Sequence, residues 1–266
     1  MTLVTAAIVA IGDELLSGRT RDANIHYLAG WLTERGVRLE EVRIIPDDHQ
    51  TIVSAINGLR GKHSYVFTSG GIGPTHDDIT FEAVAACFGV ALKEHPGARA
   101  MLDSWYAAKN LPVTPERARM AMMPDGARLI QNSQSGAPGI IIDNVFVMAG
   151  VPRIFQAMTG AIEEEIKGGA MLYSKAVTAR GLAESALARQ LVDIQAALKG
   201  VTLGSYPIDV PASDPDGKSR NAGDGDIGGV TIVARSEHEA LAQTAIDSVV
   251  AAMRALGFEP EFGDRR

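Results

Sequence analysis

Short apolar runs alternate with segments of helical periodicity along the first part of the chain. Residues 3–11 form a continuous, β-branched run, which is typical of a strand buried on both faces of a parallel sheet. Residues 37–45 and 64–68 are predicted to be further strands. Helices are predicted between them, over residues 22–35, where apolar side chains recur at helical spacing, and over residues 51–59. This alternation predicts a doubly wound α/β domain.

The following stretch is more helical and less regular. After a glycine-rich turn we expect a helix from about Asp78 to Phe88 and a second helix over residues 98–110. A third helix is predicted from Pro152 to about Lys167, because proline is tolerated in the first helical turn. Residues 127–130 and residues 140–148 are predicted to be strands that continue the sheet.

The pattern changes after Gly168 and Gly169, which we interpret as a linker. Residues 170–266 have a β-α-β-β-α pattern, which is typical of a small α+β domain with its helices on one face. Residues 209–228 are rich in Asp, Gly, Ser and Pro and are predicted to be a mobile hairpin connection. The predicted elements are strands over residues 173–178, 201–206 and 229–234 and helices over residues 184–198 and 237–256. We therefore expect two domains, residues 1–169 and residues 170–266.

The composition narrows the possible functions. With 46% hydrophobic and 21% charged residues the chain has the make-up of a globular protein. A single cysteine, Cys87, excludes a disulfide framework and a thiolate zinc site. The net charge of −7 divides into −4 for residues 1–170 and −3 for the remainder. Because neither part is basic, we expect no nucleic-acid partner.

The first apolar run, residues 3–11, also bears on where in the cell the protein is expected. Residues 3–11 are too short to span a bilayer. The run has neither the cationic lead-in nor the small-residue cleavage site of a signal peptide. We therefore expect a cytoplasmic protein without a membrane partner.

The segment TSGGIGPTHDDIT, residues 68–80, places a glycine-rich turn between a buried strand and a helix. In an open α/β sheet, ligands bind at the carboxyl ends of the strands, where glycines and a helix N-terminus present N–H groups to phosphate. Asp77 and Asp78 repel phosphate, but both suit a site in which Mg²⁺ lies between carboxylate and phosphate. The alternative is that one of them only caps the helix. The candidate phosphate-binding residues are Gly70, Gly71, Gly73 and Thr75.

Acidic residues also follow the first two predicted strands. Asp13 comes after residues 3–11, and Asp47 and Asp48 come after residues 37–45. Because the carboxyl ends of parallel strands meet at one edge of a sheet, we expect these side chains to lie beside the glycine-rich turn. Each one taken singly would be a turn or cap residue, but their recurrence predicts a divalent cation site. The predicted metal ligands are Asp13, Asp47, Asp77 and Asp78.

A second candidate binding loop, NSQSGAPG, occupies residues 132–139. Two glycines, Gly136 and Gly139, flank a proline, which gives a shaped turn with exposed backbone between two strands. Asn132 and Ser135 carry groups that can hydrogen-bond to a base, a pterin or a ribose. An ordinary tight turn is the equally supported alternative.

Six motifs occur in the order found in one known family. The motifs are GDELLSG at residues 12–18, Asp22-Ala-Asn24, Pro46-Asp47-Asp48, SGGIGPTHDDIT at residues 69–80, Asn132 with Gly136-Ala-Pro-Gly139, and Gly150-Val-Pro152. Over about residues 1–166 the chain resembles the molybdopterin-binding (MoaB/Mog-like) domain, specifically the amino-terminal part of competence/damage-inducible CinA-type proteins. The molybdopterin-binding-like domain of eukaryotic FAD synthetase is similar too. The small domain resembles the KH-like unit that follows in CinA-type proteins.

The resemblance implies a three-layer α/β/α fold with a mostly parallel sheet and a nucleotide or pterin pyrophosphate as the ligand. It implies that Asp78 and Asp47 are catalytic, that Asn24 contacts the ligand, and that Mg²⁺, Mn²⁺ or Co²⁺ is the cofactor. Some CinA-type domains are linked with metal-dependent hydrolysis of ADP-ribose, and the FAD synthetase relative with hydrolysis of FAD. We therefore expect a metal-dependent nucleotide pyrophosphatase. The amidase domain of longer relatives is not expected, because the sequence ends at Arg266.

Two other hypotheses remain open. The first is a binding protein, linked to molybdenum cofactor metabolism, that holds molybdopterin or a nucleotide without turnover. It is favoured by residues 116–121, ERARMA, where relatives usually have an Asn-Lys-Gln-Ala-like segment. The second is RNA binding by the KH-like domain, which its net charge of −3 argues against. The resemblance also implies a homo-oligomer.

Overall fold

The computed structural model describes residues 3–169, 172–208 and 228–262. The chain divides into two compact units, Met1–Met171 and Leu172–Arg266, each with its own hydrophobic core. Apart from Gly228, the connection predicted for residues 209–228 lies outside the described residues. No helix within the described ranges is long and apolar enough to cross a membrane.

The first unit begins with alternating strands and helices, as the sequence predicts, and becomes less regular in its second half. Its elements are β1 (Thr5–Ile11), α1 (Asp13–Leu16), α2 (Asn24–Thr33), β2 (Arg38–Ile45), α3 (His49–Arg60), β3 (Tyr65–Ser69), α4 (Thr80–Phe88), β4 (Leu92–Glu94), α5 (Pro96–Ala107), α6 (Pro115–Arg119), β5 (Met122–Pro124), β6 (Arg128–Ile130), β7 (Gly139–Ile142), β8 (Val145–Met148) and α7 (Pro152–Ala161).

A mostly parallel sheet forms the centre of this unit. Its strand order is β2-β1-β3-β8-β7-β6. The first four strands are parallel to their neighbours. Strand β7 pairs antiparallel with β8, and β6 pairs antiparallel with β7. The residues of β1 from Ala6 to Ile11 are all buried, because both faces of the sheet are covered. Helix α2 contacts α7, and α3 contacts α4. The predicted three-layer α/β/α class with a mostly parallel sheet is confirmed.

The prediction of one strand over residues 140–148 is wrong, because two strands, β7 and β8, form a hairpin there. Asp143 adopts the left-handed backbone region with φ 53°. Asn144 Nδ2 donates to the carbonyl groups of Arg60 and His63, both at 2.9 Å. Aspartate and asparagine favour such turns. The turn was not predicted, because the apolar residues on both sides of it read as one continuous strand.

Several predicted helix boundaries, including the start of α4 and the end of α7, differ from the observed ones by two or more residues. Helix α4 begins at Thr80 rather than at Asp78, because the Asp78 side chain closes the preceding turn. Helix α7 ends at Ala161 and a 3-10 turn over Glu163–Glu165 follows, so the helix does not continue to Lys167. The sequence pattern also missed α1, α6, β4 and β5, because such short elements contain too few positions to show a period.

The second unit is an antiparallel sheet with its helices on one face. Val230, Ile232 and Ala234 of its central strand share a hydrophobic core with Ile246 and Val249 of the long second helix. The strand order is β10-β11-β9-β12. This arrangement confirms the predicted small α+β fold. The elements are β9 (Tyr173–Arg180), α8 (Glu184–Ala197), β10 (Val201–Pro207), β11 (Gly229–Ser236), α9 (Glu239–Ala255) and β12 (Glu261–Phe262).

Candidate functional site

The carboxyl ends of the four parallel strands lie at one edge of the first sheet, which we call the carboxyl edge. Strand β1 is followed by Asp13, β2 by Asp47, β3 by the glycine turn (residues 70–79), and β8 by Gly150. The structure therefore brings Asp13, Asp47 and the glycine turn to the same edge, where ligands of open α/β sheets bind.

The first two glycines of the glycine turn are required by close packing against neighbouring segments. Gly70 has φ 115°, and its N–H donates to the carbonyl of Met148 at 3.1 Å. A Cβ at this position would collide with the carbonyl oxygen of Ile11. Gly71 has φ 67°, and a Cβ there would collide with the hydroxyl of Thr80, which donates to the Gly70 carbonyl at 3.1 Å. Glycine therefore fixes the path of the turn beside the ends of β1 and β8.

Asp78 closes the glycine turn. Its Oδ2 accepts hydrogen bonds from the backbone N–H of Thr75 at 2.8 Å and from the Thr75 hydroxyl at 2.5 Å. Gly73 leaves room for this carboxylate, because a Cβ there would lie 2.6 Å from the same oxygen. The Thr75 hydroxyl also lowers the pKa of the exposed Asp77. Both hydrogen bonds of Asp78 end on Oδ2, so Oδ1 has no hydrogen bond from the described residues and is available to a ligand.

Asp47 lies at the centre of a group of carboxylates. Its Oδ2 accepts a hydrogen bond from the backbone N–H of Asp13 at 3.0 Å. Its Oδ1 lies 3.7 Å from the point that a Cβ on Gly71 would occupy, which places Asp47 beside the glycine turn. Burial raises the pKa of Asp47, and the charges of Glu14, Asp13 and Asp77 raise it further. Helix α1 and the glycine turn therefore bring acidic side chains within electrostatic reach of Asp47.

These carboxylates do not form a closed metal site. In residues 3–169, 172–208 and 228–262, no three His, Cys, Asp or Glu side chains are arranged to hold a metal ion. The oxygen donors still suit a hard cation, because Mg²⁺ is commonly held by one or two carboxylates together with substrate phosphates and water. The residues present therefore fit an ion that binds together with a phosphorylated ligand.

We expect Asp47→Asn to raise the melting temperature Tm of the protein at neutral pH by about 1–3 °C. The pKa of Asp47 in the folded state is above its ordinary value, so its ionised form destabilises the folded state whenever the pH exceeds that pKa. Asparagine removes this cost and still accepts the hydrogen bond from Asp13. The gain should shrink in acid, as Asp47 of the wild type takes up its proton. Thermal unfolding followed from neutral to acidic pH measures the effect.

The adjacent Asp48 is a matched control of opposite sign. It caps α3 and accepts hydrogen bonds from the N–H and the hydroxyl of Thr51, at 2.8 and 2.6 Å, which lower its pKa. Its ionised form therefore stabilises the folded state at neutral pH, and this contribution is lost as the pH falls through the lowered pKa. Asp48→Asn should lower Tm at neutral pH. An unchanged or lower Tm for Asp47→Asn would contradict the burial argument.

Asn24 is buried between the ends of β3 and β8. Its Nδ2 donates to the hydroxyl of Ser69 at 2.8 Å and to the carbonyl of Gly150 at 2.7 Å. Because Asn24 is the first residue of α2, these bonds tie that helix to two strands at the carboxyl edge. Its Oδ1 is buried and has no hydrogen-bond partner among the described residues. Because this oxygen is enclosed by protein, the side chain serves to join the elements at the edge, and the ligand contact of Asn24 stays a prediction.

The loop over residues 131–138 reaches the carboxyl edge because β7 runs antiparallel to β8. Within it, Asn132 Oδ1 accepts two N–H groups of the loop at 2.8 and 3.2 Å, and its Nδ2 donates to the hydroxyl of Ser135 at 2.5 Å. Gly136 packs on Trp105, since a Cβ there would lie 2.5 Å from the Trp105 Cβ. These contacts fit the alternative of a self-contained turn, in which the predicted ligand residues stabilise the loop itself.

One side chain at this edge was not predicted from the sequence. Helix α6 brings Arg119 to the glycine turn, where its Nη1 donates to the carbonyl of Thr75 at 3.5 Å. Its Nη2 lies 3.8 Å from Oε1 of Glu82 on α4. The available signal was the departure of residues 116–121 from the family pattern, which marks the segment but does not show what it contacts.

The family model described as "Probable molybdopterin binding domain" matches residues 7–167, which is more than half of the chain and includes the whole carboxyl edge. The chain belongs to this molybdopterin-binding family. The match covers β1 to α7 and the 3-10 turn that follows α7. The glycine turn, Asp13, Asp47 and Asp78 lie within the matched residues.

Relatives of this chain include proteins of the CinA type. A protein of Aeropyrum pernix is 34% identical over 210 residues, which are 76% of this chain and 78% of that one. A CinA-like protein of Desulfosudis oleivorans is 33% identical, over 80% of this chain and 56% of its own length. The solved structure of the protein CinA, of unknown function, from Thermoplasma acidophilum has 32% identity and a TM-score of 0.57, and covers 61% of this chain and 98% of that one. The predicted CinA type with a MoaB/Mog-like amino-terminal domain is confirmed.

Proposed function

We propose that the carboxyl edge binds a nucleotide that contains a pyrophosphate group, such as ADP-ribose or FAD, and hydrolyses it with a divalent cation. The observation that carries the proposal is the convergence of acidic side chains from α1 and from the glycine turn on the half-buried Asp47, which lies beside that turn. Like charges gathered at a half-buried position destabilise the folded state. Their presence indicates a cation that offsets the repulsion when the ligand binds.

In this proposal each part of the edge has a separate role. One or two carboxylates of the set Asp13, Asp47, Asp77 and Asp78 supply oxygen ligands for Mg²⁺, Mn²⁺ or Co²⁺, and phosphate oxygens and water complete the coordination. Such an ion, when bound, polarises a phosphoryl group and lowers the pKa of a water molecule. The backbone N–H groups of the glycine turn and the N-terminus of α4 stabilise phosphate oxygens. Asp78 and Asp47 are each oriented through one carboxylate oxygen, by Thr75 and Asp13, and keep the other for the ligand.

Metal-dependent release of AMP tests the proposal directly. The purified protein, stripped with a chelator, is incubated with ADP-ribose or FAD and then supplied with Mg²⁺, Mn²⁺ or Co²⁺ in turn. We expect AMP to form over many turnovers with at least one ion and to stop when the chelator is restored. If no AMP forms with any of the three ions and either substrate, the proposed pyrophosphatase activity is refuted.

The second candidate is a protein that binds molybdopterin or a nucleotide without turnover and is linked to molybdenum cofactor metabolism. The family match favours it, and so does the loop over residues 131–138, whose side chains stabilise the loop itself. Calorimetry with ADP-ribose and Mg²⁺ distinguishes the two candidates. Saturable heat without AMP formation supports the binding protein, whereas steady turnover excludes it.

A further inference from the structure

We propose that Arg119 is a phosphate-binding residue of the carboxyl edge, contacting the anionic group of the ligand from the α6 side of the glycine turn. The inference rests on the proposed function, because it assigns a recognition contact within the same site. Its basis is the position of the Arg119 guanidinium, which makes only long contacts and lies beside a turn whose charged side chains include the carboxylates of Asp77 and Asp78.

Helix α6 delivers Arg119 to this position. The helix begins at Pro115, after Thr114, whose hydroxyl accepts the N–H of Arg117 at 3.4 Å, and Arg119 is its last residue. From there the guanidinium reaches the carbonyl of Thr75 at 3.5 Å, which is the long limit of a hydrogen bond. In the described part of the chain, no other Lys or Arg side chain hydrogen-bonds to residues 70–79.

The contacts of Arg119 leave most of its binding capacity unused. A guanidinium has five N–H donors in a planar fork that matches phosphate oxygens. The contact with Glu82 is 3.8 Å long, and the Arg119 side chain is 44% exposed. Such an exposed ion pair contributes little to stability, so a phosphate can displace it at small cost.

The charges around the turn make this cation functionally significant. Asp77 and Asp78 lie on the turn itself, Asp13 is the first residue of α1, and Asp47 lies on the loop after β2. Each carboxylate repels a pyrophosphate through the Coulomb interaction. A divalent ion offsets part of this repulsion, and an arginine at the turn offsets a further part while adding directional hydrogen bonds.

Arg117 on the same helix provides the matched comparison. Its guanidinium stacks on the ring of Tyr106 at 4.4 Å, and its Nη1 donates to the carbonyl of Pro112 at 2.7 Å. Its guanidinium therefore lies on the α5 side of the helix, away from the glycine turn. Replacing Arg117 removes the same charge from the same short helix without removing the contact with the turn.

Calorimetric titration of the 266-residue protein with pyrophosphate in the presence of Mg²⁺ tests the assignment. Arg119→Ala should weaken pyrophosphate binding about tenfold, because a charge-assisted hydrogen bond is lost. Arg119→Lys should recover part of the affinity by retaining the charge, and Arg117→Ala should bind as the wild type does. Circular dichroism and thermal unfolding check that each variant is folded.

The outcomes separate this inference from the hydrolysis on which it rests. Equal pyrophosphate affinity for Arg119→Ala and the wild type overturns the assignment, as does an equal loss in Arg117→Ala or no binding by the wild type. If Arg119→Ala hydrolyses ADP-ribose with unchanged kcat and KM, the inference fails while the proposed function stands. If pyrophosphate binding depends on Arg119 but the wild type releases no AMP from ADP-ribose, the inference stands and the proposed pyrophosphatase activity is refuted.

Discussion

Asp78→Asn is expected to reduce the metal-dependent release of AMP from ADP-ribose by about 100-fold or more. Asparagine is nearly isosteric and its Oδ1 can still accept the two hydrogen bonds from Thr75, so the glycine turn should keep its shape. What is lost is the negative charge and the second carboxylate oxygen, which the proposal assigns to the cation and the reacting phosphate. Initial rates at saturating substrate, with the ion that supports the fastest turnover, measure the effect.

Two controls make this result specific to the Asp78 carboxylate. Asp48 follows Asp47 in the sequence, caps α3 and does not belong to the proposed ligand set. Asp48→Asn should therefore leave the rate of AMP release within about threefold of the wild-type rate. Thr75→Val removes the hydroxyl that orients Asp78 but retains the backbone N–H bond, so an intermediate loss is expected. If Asp78→Asn hydrolyses ADP-ribose as fast as the wild type, the catalytic role of Asp78 is wrong.

Gly70→Ala is expected to lower the free energy of unfolding of the first unit by about 3 kcal/mol or more. Two costs add at this position. The backbone has φ 115°, a region that residues with a Cβ rarely adopt, and the new methyl group would collide with the carbonyl oxygen of Ile11. Because that oxygen belongs to the backbone of β1, it cannot move without disturbing the sheet. Chemical denaturation followed by far-ultraviolet circular dichroism measures the loss.

Gly89 separates the two costs. It ends α4 in the left-handed conformation with φ 63°, and apart from its chain neighbours and the backbone of its own helix no heavy atom lies within 4 Å of the point that its Cβ would occupy. Gly89→Ala therefore carries only the conformational cost, about 1 kcal/mol. A loss in Gly70→Ala no larger than the loss in Gly89→Ala would show that the glycine turn can shift away from β1.

Elements with a strong local pattern could be predicted from the sequence, and those defined by a turn within an apolar run could not. Strand β1 was predictable because its run is apolar throughout, as expected where both faces are covered. The hairpin of β7 and β8 was missed because only Asp143 and Asn144 interrupt the run, and the other seven residues over 140–148 are apolar. The reversal of the chain depends on the φ of Asp143 and on the hydrogen bond that Asn144 donates to the distant Arg60 carbonyl. A pattern of apolar and polar positions contains information on neither.

For the candidate site, the sequence predicted which loops meet but not how their side chains are used. The placement of Asp13 and Asp47 on one edge follows from parallel strand topology alone. The hydrogen bonds within the loop of Asn132 and Ser135 depend on the path of the backbone, which their residue types leave open. Arg119 reaches Thr75 across 44 residues of chain, through a helix too short to show a period.

The half-buried Asp47 has a consequence for directed evolution of this protein. Its charge lowers the stability of the folded state, so a selection for heat resistance alone would favour its replacement. Under the proposed function, variants enriched in this way would survive heating better and bind the metal–nucleotide complex less well. A screen that applies heat and ligand binding together should retain Asp47 and find its stabilising changes elsewhere, for example on the exposed surface of α8 or α9.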